Sequence, residues 1–246
     1  MDLNIKLCLS FDGSSYHGWQ RQANAIAVQQ KVEEATQQIT GLNGTVIGCS
    51  RTDTGVHALQ YVCNFFSDTK IPVDKISIAL NTALPSDIRV KLAEFVVDSF
   101  NARFSAKSKT YQYHIWNNPI ADPFLARYAY HFPIKLDIEK MKKAAAMLVG
   151  EHDFSAFMAS GGSQITTIRH VNKLMVHGDN GKISIEINAD AYLYNMVRII
   201  SGTLVYVGCG KIGLQDIEKI LRSKNRIEAG ITAPAGGLFL KDVFYN

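Results

Sequence analysis

Residues 46–66 read VIGCSRTDTGVHALQYVCNFF, and this stretch is the best starting point for predicting the fold. The apolar and β-branched residues at 46–49 and 61–66 are typical of two strands, with a polar loop between them. Gly55 permits a tight turn directly after Asp53, so that a short acidic side chain can point into a cleft. The stretch therefore predicts a strand–loop–strand unit that presents one carboxylate.

Asp53 has a structural and a chemical interpretation. An Asp beside Gly in a loop is most often a simple turn residue. In the chemical interpretation, Arg51 keeps Asp53 ionised, as nucleophilic catalysis at a sugar carbon requires. The tripeptide at 53–55, Asp-Thr-Gly, is also found in aspartic proteases, but these need two carboxylates that share a proton. No second Asp-Thr-Gly or Asp-Ser-Gly occurs, which argues against a protease.

Length and composition indicate a soluble globular protein of one large domain or two ordinary ones. The 246 residues are 47% hydrophobic and 20% charged. The first 13 residues do not have the character of a signal peptide. The most apolar run, 196–209, is too short for a membrane span and contains Arg198. We therefore expect a cytoplasmic protein that makes no use of a membrane.

Metal and disulfide sites are not indicated by the sequence. The four cysteines form no Cys-x-x-Cys pair, and the seven histidines form no cluster with metal-ligand spacing. We therefore expect no metal. The net charge of +4 at pH 7 permits nucleic acid as a partner without demanding it.

Hydrophobic periodicity predicts strands and helices without regular βαβ alternation. The predicted helices are 28–39, 73–84, 137–149 with Asp137 as N-cap, 192–207 and 214–222; the predicted strands are 5–11, 46–49, 61–66, 88–97, 110–116, a hairpin pair around 177–181, and 237–245. The pattern breaks at 101–109, so we predict an N-terminal domain of 1–105 and a C-terminal domain of 106–246. The predicted fold class is α+β with mostly antiparallel sheets.

Residues 208–213 match the dinucleotide fingerprint Gly-x-Gly-x-x-Gly. That fingerprint requires a preceding strand and a βαβ unit around it. Here the preceding residues, 195–207, have the length and spacing of a helix, and glycine is favoured at helix C-termini. The sequence therefore argues against a nucleotide site and a nicotinamide-dependent enzyme.

Two tyrosines are candidates for contact with a base. Tyr111 and Tyr113 lie two residues apart in a predicted strand, so both face the same way. Such a pair suits either the core or a stacking platform. The second interpretation gains from the basic residues nearby, because alternating aromatic and basic residues suit a nucleic-acid backbone groove. These basic residues are Arg103, Lys107 and Lys109.

Arg198 is a candidate for a second reason. It lies inside an otherwise apolar predicted helix, and an unpaired interior charge is very costly. A carboxylate or phosphate partner is therefore required. Asp53 is the obvious carboxylate, and an ordinary salt bridge is the alternative. The histidines at 17, 57 and 170 are scattered and are assigned no catalytic role.

Six motifs, in this order, resemble the bacterial tRNA pseudouridine synthase A family over nearly the whole chain. They are FDGSSYHGWQ at 11–20, RTDTGVHA at 51–58, NARFSA at 101–106, GEHDF at 150–154, NMVR at 195–198 and AGITAPAGGL at 229–238. The resemblance implies the pseudouridine synthase fold, with two similar α/β subdomains that flank a central basic cleft. It also implies a homodimer, with one tRNA contacting both subunits.

The resemblance implies an isomerase that converts uridine to pseudouridine at positions 38–40 of the tRNA anticodon stem-loop, without metal or organic cofactor. The N1–C1′ bond breaks and C5 joins C1′. Asp53 matches the catalytic aspartate, which acts on a flipped-out nucleotide. Attack on C1′, addition to the uracil ring and promotion of a glycal intermediate all remain open for this carboxylate.

The resemblance also assigns roles to four other residues. Arg198 matches the arginine that pairs with the catalytic aspartate, and Arg51 matches one that helps to displace the target base from the stem. Tyr111 matches the tyrosine that stacks on the substrate and is a candidate to take the C5 proton. Leu238 matches a residue that lines the uracil pocket.

The sequence departs from the family pattern at three places near these motifs. Cys49-Ser50 stands where Ala-Gly is commoner, Gln60-Tyr61 replaces the usual Gly-Gln, and Asn195 occupies a place where His is frequent. None of these changes removes a residue assigned to catalysis, so we expect activity, with the choice of tRNA positions in doubt. The alternative is a catalytically weak tRNA-binding or tRNA-folding paralogue on the same scaffold.

Overall fold

The computed structural model describes residues 2–41, 44–162 and 165–245. By its internal contacts the chain divides into two compact units. Unit 1 is Met1–Lys107 with Leu240–Asn246, and unit 2 is Ser108–Phe239. Both units combine helices with mostly antiparallel strands, so the predicted α+β class is confirmed.

Unit 1 is built on an antiparallel sheet in which β1 lies between β4 and β3. Its strands are β1 (Leu3–Phe11), β2 (Ile47–Gly48), β3 (His57–Ser67) and β4 (Ile88–Val96), and its helices are α1 (Val28–Thr40) and α2 (Val73–Ala83). β2 pairs with β3, and residue Leu7 of β1 lies opposite Cys63 on one side and Ala93 on the other. α2 packs on β4, and α1 packs beside α2.

β1 has neighbours on both sides, and its side chains alternate between buried and partly exposed positions. Ile5, Leu7 and Leu9 are fully buried, while the residues between them are partly exposed. Burying an aliphatic side chain of this size stabilises the fold by roughly 2 kcal/mol. The predicted strand at 5–11 is therefore confirmed. The predicted helix stop near Gly41 is also confirmed, because Gly41 adopts a left-handed conformation (φ 70°) and its N–H bonds to Gln37.

The main strands of unit 2 pair antiparallel in the order β5, β9, β8, β7. Its strands are β5 (Ser108–Trp116), β6 (Tyr130–His131), β7 (Gly150–Asp153), β8 (Ile168–Asp179) and β9 (Lys182–Ala189); its helices are α3 (Ile138–Ala146), α4 (Met196–Gly208) and α5 (Asp216–Ser223). β6 runs parallel to β5. The last strand, β10 (Leu238–Phe244), begins in unit 2 and continues into unit 1.

Local signals in unit 2 act as the sequence predicts. Asn180 and Gly181 join β8 to β9 and both have positive φ, 48° and 79°, as a two-residue hairpin turn of the I′ type requires. The Asp137 side chain accepts a hydrogen bond from the Lys140 N–H and caps α3. α3 packs against both β8 and α4, and most of α4 is buried.

Several predicted boundaries differ from the structure. The helix predicted from residue 192 begins at Met196, because Asn195 has a left-handed backbone (φ 61°) that breaks the helical path. The strand predicted at 46–49 is only Ile47–Gly48, and the one predicted at 61–66 begins earlier, at His57. β6 and β7 are too short to give a periodic signal, and the sequence does not predict them.

The end of the chain also differs from the predicted division at 105/106. Unit 2 begins at Ser108, and residues from Leu240 onward belong to unit 1. Two hydrogen bonds hold this segment there: the Tyr245 hydroxyl donates to the Ala102 carbonyl, and the Lys107 N–H donates to the Phe244 carbonyl. These bonds join residues that are far apart in the sequence, so no local sequence pattern predicts them.

Candidate active site

The loop between β2 and β3 carries Asp53 and is closed by a turn. The Val56 N–H donates to the Asp53 carbonyl at 3.2 Å, and the Gly55 N–H donates to the Tyr16 carbonyl at 3.2 Å. Gly55 has φ 79°, a conformation that most other residues adopt only with strain. The predicted tight turn after Asp53 is therefore confirmed, and the backbone on the C-terminal side of Asp53 is fixed.

Residues of the motif at 11–20 pack directly against this loop. A Cβ atom placed on Gly18 would lie 2.1 Å from the Thr52 carbonyl oxygen, so a side chain at this position would push the loop away. The Gly13 N–H donates to Nδ1 of the buried His57 at 3.0 Å, which ties the end of β1 to the start of β3. His57 thus has a structural contact, although the sequence gives it no role.

The side chains of the loop differ in their accessibility. Arg51 is exposed, Asp53 is half-buried, and Val56 is buried. The buried Val56 and the fixed turn therefore hold the backbone beside the half-buried Asp53, two residues after the exposed Arg51. Both residues belong to unit 1.

Unit 2 holds Arg198 in a defined place near the start of α4. Its Nε donates to the Ala233 carbonyl at 2.7 Å, and its Nη1 donates to Oδ1 of Asn195 at 2.8 Å. The Ala233 N–H in turn donates to the Arg198 carbonyl at 3.1 Å. Asn195 therefore has a clear structural function: its left-handed backbone starts the helix, and its side chain orients the guanidinium.

Tyr111 and Tyr113 lie on the same face of β5, as the sequence predicts, and both are buried. The Tyr113 hydroxyl donates to the Pro234 carbonyl at 2.8 Å, so this tyrosine supports the 233–238 segment. Burial raises the pKa of Tyr113 strongly, while the charge of Arg198 acts in the opposite direction. The phenol therefore stays protonated and keeps its hydrogen bond.

Tyr111 is held by a neighbouring ring that the sequence does not single out. Tyr192 meets it edge-on, with the ring centroids 4.9 Å apart. The Tyr192 hydroxyl lies 2.7 Å from the Lys109 carbonyl oxygen and 3.0 Å from that of Ile187. Burial raises the pKa of Tyr192 well above its usual value, so this hydroxyl remains a donor.

Leu238 is buried at the beginning of β10, next to a short turn at Ala235–Gly237. Its N–H donates to the Ala235 carbonyl. Because Ala233 contacts Arg198 and Pro234 contacts Tyr113, the 229–238 motif joins Leu238 to both residues within unit 2. In the sequence, only their position in this motif indicates that Ala233 and Pro234 belong to the candidate site.

The candidate residues thus fall into two groups. Asp53 and Arg51 lie in unit 1, and Tyr111, Arg198 and Leu238 lie in unit 2. Among the described residues, no group of three or more His, Cys, Asp or Glu side chains is arranged to hold a metal ion. In the same ranges, no helix has the length and hydropathy needed to cross a membrane.

Comparison with known proteins defines the class. The sequence model of the tRNA pseudouridine synthase family matches residues 7–105 and 144–246, which is most of the chain. The matched ranges include Arg51, Asp53, Arg198 and Leu238 but not Tyr111 or Tyr113. The protein belongs to the tRNA pseudouridine synthase family. The resemblance deduced from the six motifs is therefore confirmed, and the protein is an isomerase.

Individual relatives narrow this class. A protein named tRNA pseudouridine synthase A from Thermoanaerobacter sp. (strain X514) is 51% identical over 98% of this chain and 99% of its own length. One of the same name from Acetivibrio thermocellus is 46% identical over the same shares. A protein named tRNA pseudouridine synthase A 2 from Clostridium tetani is 44% identical, and the match covers the whole of both chains.

Proposed function

We propose that this protein isomerises uridine to pseudouridine at positions 38–40 of the tRNA anticodon stem-loop, with Asp53 as the catalytic carboxylate. Membership in the tRNA pseudouridine synthase family supports the reaction. The observation that carries the role of Asp53 is the loop geometry. The loop backbone is hydrogen-bonded at the Asp53 carbonyl and at the Gly55 N–H, and Asp53 is only half-buried. A carboxylate held in this way is preorganised for reaction.

The reaction conserves every non-hydrogen atom of the nucleotide. The N1–C1′ bond breaks, the uracil turns over, and a C5–C1′ bond forms; the C5 hydrogen leaves as a proton, and N1 gains one. Asp53 serves either by attack on C1′, by addition to the ring, or by promoting a glycal intermediate. In each route the nucleotide must leave the stem, which costs a few kcal/mol of unstacking and unpairing.

The two arginines take different parts in this proposal. Arg198 pairs with the Asp53 carboxylate and orients it. A guanidinium carries five N–H donors, enough to hold the bonds to Ala233 and Asn195 together with a carboxylate. Arg51 is exposed and lies two residues before Asp53. Its side chain fills the place of the displaced base in the stem.

Tyr111 and Leu238 contact the flipped uracil in this proposal. Tyr111 stacks on the ring and is the group that takes the C5 proton, and its contact with Tyr192 fixes its orientation. Leu238 lines the apolar side of the pocket. The protein acts as a homodimer in the cytoplasm, and its net charge of +4 favours an RNA partner.

The position of the modified uridines is tested by mapping. tRNA transcripts with uridine at 38, 39 or 40, and matched transcripts with cytidine there, are incubated with the protein, and pseudouridine is located by chemical modification and primer extension. We expect pseudouridine at 38–40 only when uridine is present. Modification restricted to another part of the tRNA would contradict the proposed specificity. Tight tRNA binding without any pseudouridine would favour the alternative, a tRNA-binding or tRNA-folding paralogue.

A further inference from the structure

Tyr61 lies in β3, at one of the places where the sequence departs from the family pattern. Its ring is buried in an aromatic cluster of unit 1. It stacks on Trp19, with the centroids 4.0 Å apart and the planes inclined by 23°, and it is tilted against Phe11 at 5.5 Å. This packing leaves the ring one orientation, and it therefore fixes where the hydroxyl points.

The hydroxyl meets both backbone polar groups of Ser50. It donates to the Ser50 carbonyl, and the Ser50 N–H lies 3.4 Å from the same oxygen and donates to it. A phenol has one donor and two acceptor lone pairs, so one group can make both contacts. Ser50 directly precedes Arg51 and is three residues before Asp53, so these contacts hold the N-terminal side of the loop.

The backbone of Trp19, the residue on which Tyr61 stacks, is held by a helix terminus. The Trp19 carbonyl accepts the Gln29 N–H at 2.9 Å, and the Gly18 carbonyl accepts the Val28 N–H at 3.1 Å. These are N–H groups of the first turn of α1, which lack partners within the helix. A continuous set of contacts therefore runs from α1 through Trp19 and Tyr61 to the loop.

We infer that Tyr61 is a positioning residue for catalysis: its hydroxyl fixes the N-terminal side of the Asp53 loop through the Ser50 backbone. This inference rests on the proposed role of Asp53. The turn at 53–56 holds the other side, so loss of the Tyr61 hydroxyl removes two of the contacts that hold the N-terminal side. A displacement of about 1 Å in a reacting group reduces the rate by up to about a hundredfold.

The test is Tyr61→Phe, which keeps the stacked ring and removes only the hydroxyl. We expect the single-turnover rate of pseudouridine formation to fall about tenfold or more, with KM for tRNA within about twofold of wild type. Tyr245→Phe is the matched control. Its hydroxyl also donates to a backbone carbonyl of unit 1, that of Ala102, at 2.9 Å, but not to the loop. This control should keep the wild-type rate.

The outcomes separate a positioning role from a structural one. Equal rates for Tyr61→Phe and wild type would overturn the inference, as would a rise in KM at an unchanged rate. If Tyr61→Phe does not fold, Trp19→Phe replaces it; this variant keeps the hydroxyl but loses the indole stack, and a lowered rate at unchanged KM is again expected. An active Asp53→Asn would refute the proposed function itself. An inactive Asp53→Asn with a normal Tyr61→Phe would refute only this inference.

Discussion

At the scale of single residues, hydrogen bonds restrict the movement of the polar groups of the candidate site. Arg198 is fixed by a backbone carbonyl and by an amide side chain, and Asp53 sits in a loop whose turn is closed at 53–56. Such preorganisation avoids a reorganisation cost during the reaction. The residues that supply it, Asn195 and Ala233, are not themselves reactive.

Arg198→Lys tests whether the fork geometry of the guanidinium matters. A lysine retains the charge but cannot donate to Ala233 and Asn195 and a carboxylate with the same planar arrangement. We expect kcat/KM to fall about a hundredfold, mostly in kcat. Steady-state assays on tRNA measure this, with Arg222→Lys as the control. Arg222 is exposed and pairs with Glu218 one turn earlier in α5, so its variant should match wild type. Activity of Arg198→Lys within about twofold of wild type would contradict the proposed role.

At the same scale, sequence motifs identified the candidate residues but not all of the residues that hold them in place. Asp53, Arg198 and Gly55 follow from charge, spacing and turn chemistry. Asn195 appeared only as a departure from the family pattern, and its φ of 61° is a backbone property with no strong sequence signal. The sequence does not predict that Tyr192 contacts Tyr111, because this contact depends on how the loop before α4 folds back onto β5.

At the scale of elements, a buried amide pair fixes the segment that follows β4. Oδ1 of Asn64 in β3 accepts the Ala102 N–H at 2.8 Å, and Nδ2 of Asn64 donates to Oδ1 of Asn4 in β1 at 2.9 Å. Nδ2 of Asn4 then donates to the Val97 and Phe100 carbonyls. Both amides are almost fully buried, and the two bonds made by Asn64 form where water is excluded.

Asn64→Ala should therefore destabilise unit 1 substantially. The substitution removes the acceptor of the Ala102 N–H and the donor to Oδ1 of Asn4, and each buried unsatisfied group costs about 1–3 kcal/mol. We expect a loss of about 3 kcal/mol in the free energy of unfolding, measured by urea denaturation with an unchanged m-value. Gln30→Ala removes an exposed i,i+4 contact with Glu34 and should cost about 0.5 kcal/mol or less. Similar losses for the two variants would contradict the account of the buried pair.

Element types followed from periodicity more reliably than element ends. The two ends of α4 show why one boundary was predicted correctly and the other was not. Gly208 closes the helix and Gly210 has φ 78°, so the glycines do mark a helix C-terminus, as their spacing after an apolar helical run predicts. The predicted start of the same helix, residue 192, is four residues too early. The apolar pattern extends back to Leu193, but the left-handed backbone of Asn195 prevents the helix from beginning before Met196.

At the scale of the whole molecule, the chain contributes its candidate residues from two units. The sequence predicts two domains from the break at 101–109, since periodicity ends there. It does not predict that Leu240–Asn246 belongs to unit 1, because an alternating apolar strand carries no information about which sheet it joins. The mechanism we propose needs residues of both units to act on one nucleotide.

The most direct test of this account is tritium release from tRNA that carries 5-tritiated uridine, comparing wild type with Asp53→Asn. Formation of the C5–C1′ bond expels the C5 hydrogen, so release reports the isomerisation itself. We expect release by wild type and by the exposed control Asp98→Asn, and a rate at least about a thousandfold lower for Asp53→Asn while it still binds tRNA. Release by Asp53→Asn within tenfold of the wild-type rate would contradict the assignment of Asp53 as the catalytic carboxylate.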